Sequence, residues 1–243
     1  MDFNQQNYGF TNEPRSLIFH SEEEQNLHVS KYMTKVYGWM FLALMVTALA
    51  SQYVASSETL LNFILGNKLG FWVVLLGQLG LVFYMTARID KISVSTATAL
   101  FFTYAALNGL VFGVILMAYT PASLLTVFAI TAGTFGAMSA IGYFTKADLT
   151  SLGQIMFFGL IGLIIASVVN FFLKSSALYW ILSYVGVAVF MGLIAYDTQK
   201  IKAYALHENE EIRQKGAIMG ALALYLDFIN LFIYLLRFFG DRR

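Results

Sequence analysis

Two acidic side chains, Asp197 and Asp227, sit where acids are expensive. Asp227 lies inside Gly220-Ala-Leu-Ala-Leu-Tyr-Leu-Asp-Phe-Ile-Asn-Leu-Phe-Ile-Tyr-Leu-Leu-Arg237, a run long and apolar enough to cross a bilayer. It is the one acid well inside such a run. A carboxylate in hydrocarbon costs several kcal/mol unless it is protonated, paired or hydrated, which makes Asp227 a functional candidate. Asp197 ends the preceding apolar run, in Ala195-Tyr-Asp-Thr-Gln199. Two carboxyls held together cannot both ionise cheaply, so such a pair shares one proton and titrates as a unit. A divalent cation is the alternative partner, because Ca²⁺ prefers carboxylate oxygens. Asp197 and Asp227 are therefore the candidate proton sensor, gate and transient Ca²⁺ ligands.

The composition sets the solvent of the elements that hold them. The chain has 243 residues, 58% of them hydrophobic and 12% charged, with a mean hydropathy of +0.68. Soluble domains carry about 25% charged residues, so most of this chain is solvated by lipid. The net charge of +1 gives no basis for nucleic-acid binding, and the absence of cysteine excludes disulfides and thiolate chemistry. The three histidines, His20, His28 and His207, lie outside every apolar run. No cofactor is expected; the partners are lipid, protons or Ca²⁺, and another membrane protein.

A spanning helix needs about 20 apolar residues. Seven runs qualify: Val36–Val54, Leu69–Ala87, Val94–Tyr119, Ala122–Phe144, Leu152–Phe172, Ala177–Tyr196 and Ile218–Phe239. None alternates apolar with polar residues as a lipid-facing strand would. The expected fold is an all-α integral membrane protein, a bundle of seven helices over residues 32–243. Residues 1–31, polar and acidic, are expected to form a flexible cytoplasmic tail. Thr120-Pro-Ala-Ser123 is the turn between the third and fourth spans, with Pro121 in the first turn of the new helix. Small-residue rows mark expected helix contacts: Gly109/Gly113, Gly216/Gly220, Ala132/Gly136/Ala140 and Gly162/Ala166.

With a cytoplasmic N-terminus, that side holds ten basic residues: Arg15, Lys31, Lys35, Arg88, Lys91, Lys146, Lys200, Lys202, Arg213 and Lys215. The opposite side holds five: Lys68, Lys174, Arg237, Arg242 and Arg243. This asymmetry orients the chain with its N-terminus inside. The basic C-terminus is discordant and would fit a last run that turns back to the cytoplasm; seven full crossings are the favoured reading.

The two acids are 30 positions apart, centred on Ile212 in a polar stretch. In an antiparallel hairpin, residues equidistant from the turn share a depth. That requires the sixth spanning helix to continue past Tyr196 to about Tyr204. Gly220, Ala223, Asp227, Asn230 and Tyr234 recur at helical spacing and form a small, polar stripe. Gly220, Asn230, Tyr234 and Asn108 are candidates to line a path. Arg88, at the end of the second span, is a candidate third member of the gate, since a cation beside a carboxylate competes with the partner acid. Asn108 and Asn170 are expected to hydrogen-bond between helices.

Ala195-Tyr-Asp-Thr-Gln-Lys200, Gly220 to Phe232, Val36-Tyr-Gly-Trp-Met40, Thr131-Ala-Gly-Thr-Phe-Gly-Ala-Met-Ser139 and Leu235-Leu-Arg-Phe-Phe-Gly240 resemble the signatures of the Bax inhibitor-1 family, in its bacterial inner-membrane branch. The resemblance covers about Tyr32 to Arg243. It implies seven helices around a central last one and a pH-sensitive Ca²⁺ leak gated by an aspartate pair, which maps to Asp197 and Asp227, with Arg88 as the associated arginine. It also implies a rival: a non-transporting stress regulator that binds a partner such as a membrane protease. A third reading, an intramembrane aspartyl protease, fits poorly. Leu224-Tyr-Leu-Asp227 lacks a glycine-rich approach, and the only prolines are Pro14 and Pro121.

Overall fold

The computed structural model describes residues 19, 21–66 and 68–243. Eight helices follow one another: α1 (Glu22–Ala55), α2 (Glu58–Leu65), α3 (Lys68–Arg88), α4 (Val94–Ala118), α5 (Pro121–Phe144), α6 (Thr150–Leu173), α7 (Ser176–Tyr204) and α8 (Glu210–Phe239). The fold is an all-α membrane bundle. Six helices, α1 and α4–α8, are long and apolar enough to cross a bilayer; the apolar part of α3 is shorter, Trp72–Arg88. The short α2 joins α1 to α3 and stands outside the expected runs.

Polar side chains at the loops set the helix ends. Ser93, Thr120, Ser175 and Asn209 each accept a hydrogen bond from a backbone N–H one turn into the following helix, satisfying donors that lack an intrahelical partner. Pro121 opens α5, where its missing N–H costs nothing. Lys174 closes α6 in a left-handed conformation. Asn170 stabilises that turn: its Oδ1 accepts from the Ser175 N–H at 3.0 Å. Asn170 therefore acts as a local cap and forms no bridge between helices. At the N-terminus, α1 starts at Glu22, capped by Ser21. Residues 22–31 of the segment expected as a tail are thus helical; residues 1–18 and 20 lie outside the described residues.

α8 is the central helix. Inside its apolar window 72% of residues are buried, against 6% for α6 and 44% for α7. Its neighbours are α7, α1, α5 and α4. Lipid is as apolar as a core side chain, so close backbone approach and buried polar groups decide which faces meet. Gly109 and Gly113 of α4 face Ala50, Thr47 and Val54 of α1, where an added Cβ would lie 2.5–2.8 Å from its neighbours. Gly220 does the same against Ile201 of α7 at 2.8 Å, and Gly216 lies beside Tyr204, where an added Cβ would be 3.2 Å from the ring. Gly142 of α5 is closer still, its missing side chain replaced by the Ala195 carbonyl of α7. Gly136 and Gly162 face open space and so allow no close helix approach there, while Ala166 packs against the core. Tyr225 of α8 is wholly buried. Its hydroxyl accepts from Asn108 Nδ2 at 2.9 Å and lies 2.7 Å from Thr47 Oγ1, which ties α8 to α4 and α1.

The ends of the helices are also ordered. One end collects the start of α1, the α3–α4 and α5–α6 connections and the α7–α8 turn. His28 of α1 meets the Ala205 carbonyl at 3.0 Å, Lys215 of α8 donates to the Asp90 carbonyl at 3.2 Å, and Gln199 of α7 donates to the Ala147 carbonyl at 2.8 Å. The C-terminus is at the other end. The Thr120 N–H donates to the Asp241 carbonyl at 2.9 Å and the Arg243 N–H to the Ala118 carbonyl at 3.1 Å. α8 therefore runs from one end of the bundle to the other and does not turn back. The chain lacks cysteine, so cysteines introduced at Glu208 and at Asp241 can be labelled singly with a membrane-impermeant maleimide. They are expected to react from opposite sides of the membrane. Reaction from the same side would contradict the end-to-end path of α8.

Candidate functional site

α7 continues unbroken to Tyr204, as the hairpin count requires. Gly216 lies against Tyr204 and Gly220 against Ile201, an antiparallel register centred at about residue 210, near the expected Ile212. This register brings Asp197 and Asp227 to within about a helical turn of each other. Their carboxyls are electrostatic neighbours. Asp227 is 4% exposed, and its Oδ2 makes no hydrogen bond. Asp197 is partly buried.

Both acids line one cavity of about 1100 Å³. Its walls come from five helices: Leu75, Gln78 and Val82 of α3, Tyr104 of α4, Gln154 and Phe157 of α6, Leu193, Tyr196 and Lys200 of α7, and Ala223, Leu226 and Asn230 of α8. The walls are mainly aliphatic and aromatic. The acids, Asn230, Lys200 and two glutamines supply the polar groups.

The Tyr196-Asp-Thr-Gln199 segment divides its work by helix face. Tyr196 packs on Gly153 of α6. The Thr198 hydroxyl lies 3.0 Å from Ser139 Oγ, which in turn lies 2.5 Å from Tyr37 Oη. Gln199 grips the α5–α6 loop with both ends of its amide, accepting from the Leu149 N–H at 2.9 Å and donating to the Ala147 carbonyl. Lys202 donates to the Tyr143 carbonyl at 2.7 Å. In that same loop the Thr150 hydroxyl and N–H hydrogen-bond to the exposed Asp148 carboxylate and hold its pKa below the usual carboxylate range. Thr198 and Gln199 are thus occupied by hydrogen bonds away from the cavity, while Tyr196 and Asp197 line it.

The other expected site residues separate. Asn230 lines the cavity while its amide donates to Leu226 of its own helix at 2.8 Å. Gly220 is a packing position against Ile201, and Tyr234 packs against Gly186 and under Arg237, whose guanidinium carbon is 4.7 Å from the ring. Asn108 belongs to the Tyr225 cluster. Arg88 is exposed at the end of α3 and is not among the cavity residues. The cation beside Asp197 is Lys200, one turn further along α7. Lys200 and the two glutamines, Gln78 and Gln154, were not singled out in the sequence. A polar residue in an otherwise apolar span was the signal available for Gln78.

A family model described as "Inhibitor of apoptosis-promoting Bax1" matches residues 29–243. The chain belongs to the Bax inhibitor-1 family. It is 47% identical over 216 residues to inner membrane protein YbhL of Escherichia coli K12, covering 87% of this chain and 92% of the relative. It is 44% identical to an uncharacterized protein of Borreliella burgdorferi, over 91% and 97% of the two chains. It is 34% identical to an uncharacterized membrane protein of Streptococcus pyogenes, over 89% and 95%. The Escherichia coli and Streptococcus pyogenes relatives are named as membrane proteins, the first of the inner membrane, as the motifs lead one to expect.

A buried carboxyl oxygen without a partner is destabilising. Asp227→Leu is therefore expected to stabilise the folded protein by about 1–3 kcal/mol, read as a higher midpoint of thermal unfolding in detergent. A lower midpoint would mean that Asp227 holds the bundle together, not that it is kept for another purpose.

Proposed function

We propose that this Bax inhibitor-1 family protein is a pH-sensitive leak pathway for Ca²⁺ or a similar cation, gated by Asp197 and Asp227. The observation that carries the reading is the placing of both carboxyls on one cavity, with Thr198 and Gln199 bonded elsewhere. A stability role does not account for two acids brought together on the most buried helix and its neighbour. A gate does. When one proton is shared, the two carboxyls attract, and α7 and α8 stay together. When the proton leaves, two anions face each other in a medium of low dielectric, and repulsion favours separation or a cation between them. Oxygen ligands of this kind suit Ca²⁺.

The excess of basic residues at the α7–α8 end supports a cytoplasmic position for that end, and with it a cytoplasmic N-terminus. The bacterial inner membrane is the compartment the relatives point to. The competing reading, a stress regulator that works by binding another membrane protein, needs no pathway and no change with pH.

Purified protein in liposomes, loaded with a Ca²⁺ indicator and followed from acidic to mildly alkaline pH, separates the two. Wild type is expected to pass Ca²⁺ with a pH dependence that Asp197→Asn and Asp227→Asn each alter. Absence of flux at every pH would overturn the leak and favour the binding protein. Cleavage of a reporter transmembrane peptide, lost in either variant, would point instead to a protease.

A further inference from the structure

The cavity that holds the two acids has one open side. α3 and α6 form its walls, and α7, α8 and Tyr104 of α4 form its floor. α3 packs on α4 and α2, and α6 packs on α7, so neither wall closes against the other. Leu79 and Phe83 of α3 and Phe157, Phe158 and Ile164 of α6 border the opening. All five are exposed, and all lie in the apolar stretches of their helices. The opening therefore faces hydrocarbon. The floor is different in kind. Phe190 and Leu193 of α7 are buried, and Ala223 and Leu226 of α8 are half-buried.

The trough has the length of one leaflet. Its lining runs on α6 from Gln154 to Ile164 and on α7 from Lys200 back to Phe190. Ten residues of helix rise about 15 Å. That is half of the roughly 30 Å hydrocarbon core of a bilayer, the depth filled by the chains of one leaflet. The lining is also graded along this length. Lys200, Asp197 and Gln154 stand at the end near the α7–α8 turn, and Leu75, Phe190 and Ile164 at the far end. Of the two amides further in, Asn230 donates to its own helix and Gln78 is buried. Lys200 is exposed at the mouth, its Nζ 5.8 Å from the centre of the Tyr196 ring.

A cation at headgroup level above an apolar trough one leaflet deep matches an amphiphile with a negative head and a long chain. Lysine binds phosphate as a point charge. In a bilayer no hydrophobic gain favours seating a chain in protein over leaving it in lipid, so shape and charge select the occupant. We propose that a phospholipid of the leaflet at the α7–α8 end seats one acyl chain in this trough, with its phosphate on Lys200. The chain lies along Leu193, Ala223 and Leu226. Asp197 and Gln154, at the mouth, are left to the headgroup and water. The site is a property of the cavity and does not rest on ion flux.

Photolabelling tests this on the unmodified protein. Wild type in liposomes is irradiated with a phosphatidylglycerol that carries a diazirine in mid-chain, and the adducts are located by mass spectrometry of the digested chain. Adducts are expected on Leu193, Ala223 or Leu226, as well as on outward residues such as Phe41 of α1. Lys200→Gln, a change at an exposed position, is expected to lower the floor adducts severalfold relative to those on Phe41, and Lys200→Arg to keep them. Adducts on outward residues with none on the floor would overturn the proposal. Cross-linking of two chains through the α3–α6 opening would then name a second copy as the occupant. Floor adducts that Lys200→Gln leaves unchanged would overturn the placing of the phosphate. Floor adducts in a protein that passes no Ca²⁺ would remove the leak reading and leave the lipid site standing; Ca²⁺ flux without floor adducts would do the reverse.

Discussion

The cost of an acid in hydrocarbon governs this structure. Asp227 lies on the most buried helix of a bundle that has ample apolar residues to put there. Its charge can be tolerated only with a proton, a neighbouring group or water. The structure provides two of these conditions: a second carboxyl from α7 and a cavity large enough for several waters. Other features serve that placement. α7 must extend to Tyr204 to carry Asp197 to the right depth. The α7–α8 contact must be close, which Gly216 and Gly220 allow. A side chain at Gly220 would crowd Ile201 and one at Gly216 would press on Tyr32 and Tyr204.

The rest of the bundle divides into a fixed part and a less attached part. α1, α4 and α8 are bound by the Gly109/Gly113 approach and by the Thr47–Tyr225–Asn108 cluster, whose polar atoms are mutually satisfied. α5 and α7 are joined by Gly142, Ser139–Thr198 and Lys202. α3 makes its close glycine approach, at Gly70, to the short α2, and supplies one wall of the cavity. A polar core that is fully paired is rigid, while an incompletely paired one marks a place where a ligand or a movement completes it. The unpaired Gln78 and Asp227 both belong to the second kind.

Much of this was legible in the sequence, and the reasons differ by feature. The helices could be counted because a bilayer demands about 20 apolar residues for each crossing, and the hairpin register followed from two acids flanking a polar turn. Pro121 marked its turn by chemistry that only proline has. What could not be read was direction. In lipid, the outside of a helix is as apolar as its contacts, so residue type does not reveal which face is inward. The Ala132/Gly136/Ala140 row has the spacing of a helix contact, yet Gly136 faces open space. Arg88 is exposed at the end of α3 and is not among the cavity residues, whereas the cation beside Asp197 is Lys200 of α7. Asn170 had the polarity of a bridge and serves as a cap. Gln78 was passed over because nothing in its sequence neighbourhood marks the face of α3 that lines the cavity.

The central claim is that Asp197 and Asp227 act as one coupled unit. A double-mutant cycle measures this without reference to transport. Unfolding free energies would be compared for wild type, Asp197→Asn, Asp227→Asn and the double variant at one pH in the same detergent. Coupled carboxyls predict that the two single effects fail to add, with an interaction energy of about 0.5–3 kcal/mol. Additivity within about 0.3 kcal/mol, the behaviour of distant and independent sites, would contradict the account.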